Sequence, residues 1–194
     1  MQTHNELAPR VKALLENSHS RPVLLVIDGP AGAGKTTLAH QIVKEFGFGE
    51  IIHCDDLYNG WDDALTPTLI RNIQAWILDP LAHGEMPRYQ KYDWALKQFS
   101  GAVTVSQTPL IILEGVGAAI KNVTEFADLA IWIDLPFEEG FTRVLKRDGE
   151  GIESEMLIWL EKQRDFFALH KNPENCEIHL SGHSQSTFGE PSPA

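Results

Sequence analysis

Residues 29–36 read Gly-Pro-Ala-Gly-Ala-Gly-Lys-Thr and fit G-x-x-x-x-G-K-[ST] without a mismatch. Background residue frequencies give on the order of a 1% chance of one such match in a chain of this length. The context narrows it further: the apolar run Val23–Asp28 comes before it and an amphipathic segment, 36–46, comes after. Such a strand–loop–helix unit makes a phosphate cradle. Glycines allow a tight wrap that turns backbone N–H groups inward, and the following helix adds its positive dipole end. The motif predicts that Gly29, Ala31, Gly32, Ala33, Gly34 and Thr37 shape a triphosphate site. Lys35 would reach the β- and γ-phosphates, and the Thr36 hydroxyl would face Mg²⁺. ATP and Mg²⁺ are therefore the expected cofactors. Kinases, GTPases, motors and ligases all use this loop, so the rest of the site must choose among them.

The surrounding pattern supports an α/β chain. Short apolar runs at Val23–Asp28, Ile51–Cys54, Leu110–Leu113, Leu129–Asp134 and, more weakly, Cys176–Leu180 read as strands of a mainly parallel sheet. Between them, helical periodicity falls on 5–17, 36–46, 137–147 and 153–170, and Thr66–Pro67 looks like a helix start. The last helix shows a stripe of Met156, Leu160, Gln163 and Phe167, apolar but for the glutamine. This alternation predicts a three-layer fold in one domain over residues 1–182, with a polar, turn-rich tail at 183–194.

Charge excludes several functions. Sixteen Lys and Arg against 27 Asp and Glu give a net charge of −11, unsuited to general binding of nucleic acid or anionic membrane. Two cysteines cannot build a disulfide framework, and eight histidines show no metal-binding spacing. No apolar run approaches the length of a membrane span, and MQTHNELAPR has no apolar signal core, so the expected address is the cytoplasm. Self-association is left open.

Carboxylates at strand ends are the next candidates, because ligands of parallel sheets gather beyond the carboxyl ends of the strands. Asp55 and Asp56 follow the second strand, and Asp55 is the first choice for orienting a hydroxyl and taking its proton. Asp56 would assist the metal or cap the next segment. The pair also reads as a solvent-exposed acidic turn. Glu114, closing the third strand, would help Thr36 place Mg²⁺. Residues 87–94, Pro-Arg-Tyr-Gln-Lys-Tyr-Asp-Trp, combine ring faces with Arg88 and Asp93 and suit a small polar acceptor with a ring. They equally suit a hairpin or loop filled by its own aromatics. Arg143 and Arg147 would close over the triphosphate, or else complement a helix C-terminus. Trp132, Trp159, Phe166 and Phe167 read as core, and His53 as a surface or structural residue.

Taken in order, IDGPAGAGKTTLA, HCDDLYNGW, RYQKYDW, LIILEGVGA and RVLKRDGEG resemble the uridine kinase family of P-loop kinases over roughly residues 23–182. The Gly-Trp after the Tyr is similar to a compact bacterial branch. The resemblance implies strand order 2-3-1-4-5 with helices on both faces and a small lid. It implies that Asp55 activates a sugar 5′-hydroxyl, and that Tyr58, Arg88, Tyr92 and Asp93 lie near the acceptor; Asp56, beside Asp55, is expected with them on the substrate side. It puts Arg143 and Arg147 in the lid region, followed here by the short acidic stretch Asp148–Ser154. The expected reaction is transfer of the ATP γ-phosphoryl group to a hydroxyl of a small molecule, a nucleoside first. Pantothenate, ribosylnicotinamide or a sugar acid are rival acceptors, and a regulatory ATPase with no acceptor is the rival of another class.

Overall fold

The computed structural model describes residues 4–18 and 20–183, without the side chains of His4 and Asn5. The tail expected at 183–194 lies, from residue 184 on, outside the described residues.

Helix α1 (His4–Asn17) leads to β1 (Val23–Asp28), the phosphate loop and α2 (Lys35–Phe46). Strand β2 (Glu50–His53) turns directly into the short α3 (Cys54–Leu57), one residue earlier than the apolar run suggests, because Tyr58 N–H donates back to the Cys54 carbonyl. Helix α4 (Pro67–Ile73) starts as expected, with the Thr66 hydroxyl accepting from Thr68 N–H and Pro67 in the first turn. It runs through a π-helical turn (Gln74–Leu78) into α5 (Asp79–Ala82), where Pro80 cannot donate to an α-helical ladder. A hairpin of β3 (Arg88–Asp93) and β4 (Gln98–Thr104) precedes β5 (Leu110–Glu114). Then come α6 (Lys121–Phe126), β6 (Leu129–Asp134), α7 (Phe137–Asp148), a 3₁₀ turn (Glu150–Ile152), α8 (Glu153–His170) and β7 (Ile178–Ser181).

The main sheet has the order β2-β5-β1-β6-β7, and all four pairings are parallel. Counted along this sheet, the order is the 2-3-1-4-5 that the resemblance implies. Strands β1 and β5 are buried along their whole length, which explains their uninterrupted apolar runs. Alternate residues feed two cores. Leu24, Val26, Ile111 and Leu113 meet α4 to α8, while Leu25, Ile27, Leu110 and Ile112 meet α1 and α2. No helix among the described residues is long and apolar enough to cross a membrane.

Parallel pairing lines up the strand ends on one edge. His53 registers with Glu114, and Glu114 with Ile27 beside Asp28. Asp28 is fully buried and accepts four hydrogen bonds: Gly29 N (2.7 Å) and Gly117 N (3.0 Å) at Oδ1, Ala119 N (2.8 Å) and Asn172 Nδ2 (2.8 Å) at Oδ2. Burial still pushes its carboxyl above the ordinary carboxylate range, against those donors and the Lys35 charge. The next residue, Gly29, has φ +147°, and a Cβ there would lie 2.5 Å from the Ile133 carbonyl oxygen. Gly34 has φ +97° but faces open space. Gly29→Ala should therefore cost more than about 3 kcal/mol in urea unfolding, since the obstacle is backbone, and Gly34→Ala only about 1–2 kcal/mol of conformational strain.

Candidate active site

A cavity of about 570 Å³ opens above the strand ends. Lys35, Thr36, Thr37, Gly32 and Gly34 line its phosphate-loop end, and Asp55 and Glu114 line its floor. Lys35 and Asp55 thus share one cavity, although 20 residues of chain separate them. The buried Lys35 ammonium donates to the carbonyls of Gly29 (2.9 Å) and Pro30 (2.8 Å) in its own loop. The Thr36 hydroxyl donates to Glu114 Oε1 at 2.9 Å. This hydroxyl–carboxylate pair is a hard oxygen set that suits Mg²⁺ when phosphate oxygens and water complete the shell. Among the described residues no cluster of three or more His, Cys, Asp or Glu groups forms a metal cage.

The ionisable groups at the floor are coupled. Burial raises the Asp55 carboxyl above its usual range, the Glu114 charge adds to this, and Lys35 partly opposes it. Asp55 nonetheless stays accessible from the cavity. A carboxylate made more basic in this way is a better proton acceptor near neutral pH. Burial alone would also raise Glu114, but the His53 hydrogen bond, the Lys35 charge and the Thr36 hydroxyl hold it below the ordinary value. His53 Nδ1 lies 2.5 Å from Glu114 Oε1. That contact and the Glu114 charge raise its pKa despite partial burial.

The opposite end of the cavity is aromatic. Tyr58, Trp61, Trp94 and Trp159 line it, with Val116, Ile152 and Met156. Trp61 stands nearly perpendicular to Trp159 (84°, centroids 5.6 Å apart) and edge-on to Trp94 at 5.3 Å. Tyr58 shows the cavity only its ring, since its hydroxyl donates to the Val116 carbonyl at 2.7 Å. Trp94 Nε1 donates to the Asp55 carbonyl at 3.2 Å and so ties the hairpin to the acidic turn.

The other acceptor-side residues sit elsewhere. Asp56 is buried against the hairpin and pairs with Lys91 at 3.1 Å. Tyr92 is buried between Trp94 and Phe99, and Asp93 Oδ1 caps the hairpin turn by accepting from Ala95 N and Leu96 N. Arg88 is exposed at the start of β3. None of these four lines the cavity. The 87–94 segment takes the hairpin form that its aromatics also allowed. Gly29 and Ala33 form the loop's base, with Ala33 buried in the core beneath α2.

Both lid-region arginines line the cavity. Arg143 donates to the carbonyls of Gly182 (3.0 Å) and Gly32 (3.4 Å) and pairs with Glu139 at 2.6 Å. Arg147 forms a bidentate pair with Asp148, both bonds 2.7 Å. Two of the cavity's aromatic residues escape sequence reasoning. Trp159, expected in the core, is buried yet forms cavity wall, and Trp61 had only its place after Asp-Asp-Leu-Tyr as a signal.

The His53–Glu114 pair predicts a pH window. His53 binds its proton more tightly when folded, so its contribution is complete below its ordinary pKa of 6.5 and fades as pH rises through the higher folded value. Glu114, held below 4.5, contributes above that pH and loses its share as pH falls through its lower folded value. The stability advantage of the wild type over His53→Ala should peak between these limits, at about 1 kcal/mol or less because His53 is a third exposed, and shrink above neutrality in pH-dependent urea melts.

No protein-family model matches the chain. It is 27% identical over 180 residues to a uridine kinase from Ureaplasma parvum serovar 3, covering 82% of this chain and 87% of that one. It is also 27% identical over 145 residues to a cytidylate kinase from Thermococcus kodakarensis, covering 73% of this chain and 66% of that relative's length. Among solved structures it superposes on a possible uridine kinase from Bacillus stearothermophilus with a TM-score of 0.61 at 20% identity, over 90% of this chain and 99% of that one. The phosphate loop, the strand order and the superposition give the chain a P-loop kinase fold, and its sequence is similar to those of uridine kinases and cytidylate kinases.

Proposed function

We infer that the protein transfers the γ-phosphoryl group of ATP to a hydroxyl of a small, uncharged, ring-bearing molecule, a nucleoside being the first candidate. The observation that carries this reading is the shared cavity of Lys35 and Asp55. Lys35 would exchange the Gly29 and Pro30 carbonyls for the phosphates, with the loop amides and the α2 N-terminus around them. Thr36 and Glu114 would hold Mg²⁺, which supplies charge neutralisation across the phosphates. Asp55 orients the acceptor hydroxyl and takes its proton as the new O–P bond forms and ADP leaves. Arg143 and Arg147 leave Glu139 and Asp148 to face the charge that develops in transfer.

The acceptor class follows from the division of charge. The cations lining the cavity are Lys35, Arg143 and Arg147, all beside the phosphate loop or on α7. The tryptophan-rich end offers ring faces, and the nearby Lys162 ammonium is turned to the Trp61 and Asp62 carbonyls (2.9 and 3.2 Å), so a second anionic group would have to share the cations that serve the triphosphate. This argues for a nucleoside over a nucleotide, and against a sugar acid or pantothenate. One observation favours a second reading, a ring-bearing alcohol other than uridine or cytidine. Arg88, Tyr92 and Asp93, the polar groups that would read a pyrimidine, lie outside the cavity lining.

Lys35→Ala should abolish triphosphate turnover. Asp55→Asn should leave MgATP affinity near wild type in calorimetry and cut transfer about 10²- to 10⁴-fold; transfer at the wild-type rate would remove the base assignment. In thermal melts with ADP–Mg²⁺, cytidine should stabilise the protein and cytidylate should not, a ligand at 100 times its Kd adding about 2.7 kcal/mol. Stabilisation by cytidylate alone would reject the uncharged acceptor. ATP hydrolysis that no acceptor accelerates would instead favour the regulatory ATPase.

A further inference from the structure

Helix α8 places Met156, Trp159, Gln163, Phe166 and Phe167 on its buried face. Gln163 is the one polar residue among them, and it is 0% exposed. Its Oε1 accepts from Ala31 N–H, in the phosphate loop, at 2.8 Å. Its Nε2 has no hydrogen-bond partner among the described residues. A buried amide hydrogen left unmade is costly, and such groups are rare enough in folded chains to need a reason.

The loop itself supplies one. The carbonyls of Gly29 and Pro30 are held by the Lys35 ammonium. A triphosphate that draws this ammonium away leaves the Pro30 carbonyl its bond from Ala33 N–H (3.1 Å), but takes from the Gly29 carbonyl its Lys35 donor. Both carbonyls immediately precede Ala31, whose amide Gln163 already holds. Room for the loop to collapse is absent on its far side. A Cβ on Gly32 would lie 2.5 Å from the Gly140 carbonyl oxygen, and one on Gly140 would collide with the Ala31 carbonyl.

Building on the triphosphate-binding reading, we propose that Gln163 is a positioning residue of the phosphate loop. Its Oε1 fixes the Ala31 amide, and its Nε2 takes over a loop carbonyl that Lys35 releases when it turns to the triphosphate. Lys35 then moves without leaving the loop short of donors, so part of the cost of binding is met by a hydrogen bond that waits on α8. The same helix carries Trp159, one turn before Gln163, in the aromatic wall of the cavity. The loop and the acceptor end therefore rest on a single rigid element.

Calorimetric titration of MgATP into the full chain tests this. Gln163→Met keeps the length and removes both hydrogen-bonding atoms; it should weaken MgATP binding about tenfold, ~1.4 kcal/mol. Gln163→Glu keeps an oxygen for Ala31 N–H and loses the donor. It should bind weakly at pH 8, and recover relative to wild type as pH falls and its protonated carboxyl again offers a hydrogen. A purely structural glutamine would lower the melting temperature of both variants and leave MgATP affinity within about twofold of wild type, which overturns the proposal. So would a Gln163→Glu deficit that does not change with pH. If Gln163→Met does not fold, the pH series decides alone. Failure of the underlying reading has a separate signature, wild-type MgATP affinity in Lys35→Ala.

Discussion

One buried carboxylate organises the catalytic end of this molecule. Asp28 closes the central strand and gathers donors from the first residue of the phosphate loop, from the loop after β5 and from the segment after α8. The four donors belong to three separate stretches of chain, and each stretch contributes to the cavity or its support. Such a carboxylate is held at the cost of desolvation, and burial pulls its pKa upward. Its value is geometric, because four directional bonds at one point fix three segments relative to the strand ends.

The cavity built on this point has two chemically distinct halves. At one end Lys35 is held by the Gly29 and Pro30 carbonyls and Thr36 by Glu114, through hydrogen bonds that a phosphate and a metal ion would replace. At the other, rings meet at steep angles and the Tyr58 hydroxyl is already donated to the Val116 carbonyl. Asp55 stands where the halves meet, with its backbone carbonyl tied to Trp94. The arginines are parked on acidic neighbours, Glu139 and Asp148, bonds that a developing negative charge can outbid.

The phosphate end was legible in the sequence because its chemistry is local. Glycine conformations, the helix start and the Lys–Thr pair all lie within eight consecutive residues, and the apolar strand before them sets their place at the sheet edge. The strand order came from the resemblance rather than from periodicity. The acceptor end was harder to read. Strand residues alternate faces, and the register of β3 with β4 shifts between Gln90 and Tyr92, so which rings of 87–94 face the cavity depends on an irregularity with no signal of its own. Trp159 was hidden in another way, since a helix face that fills the core and one that lines a cavity have the same apolar period. Gln163 did interrupt that period, and its reason became visible only with the Ala31 amide beside it.

The placement of the indoles has a practical consequence. Of the five tryptophans in the chain, Trp61, Trp94 and Trp159 edge the same cavity, while Trp76 sits against Phe99 and Trp132 against Phe167. Intrinsic ultraviolet emission from this protein is therefore weighted toward the place where the phosphoryl acceptor would lie. A molecule that settles there changes the surroundings of three emitters together, so occupancy can be followed optically, without a label and without turnover.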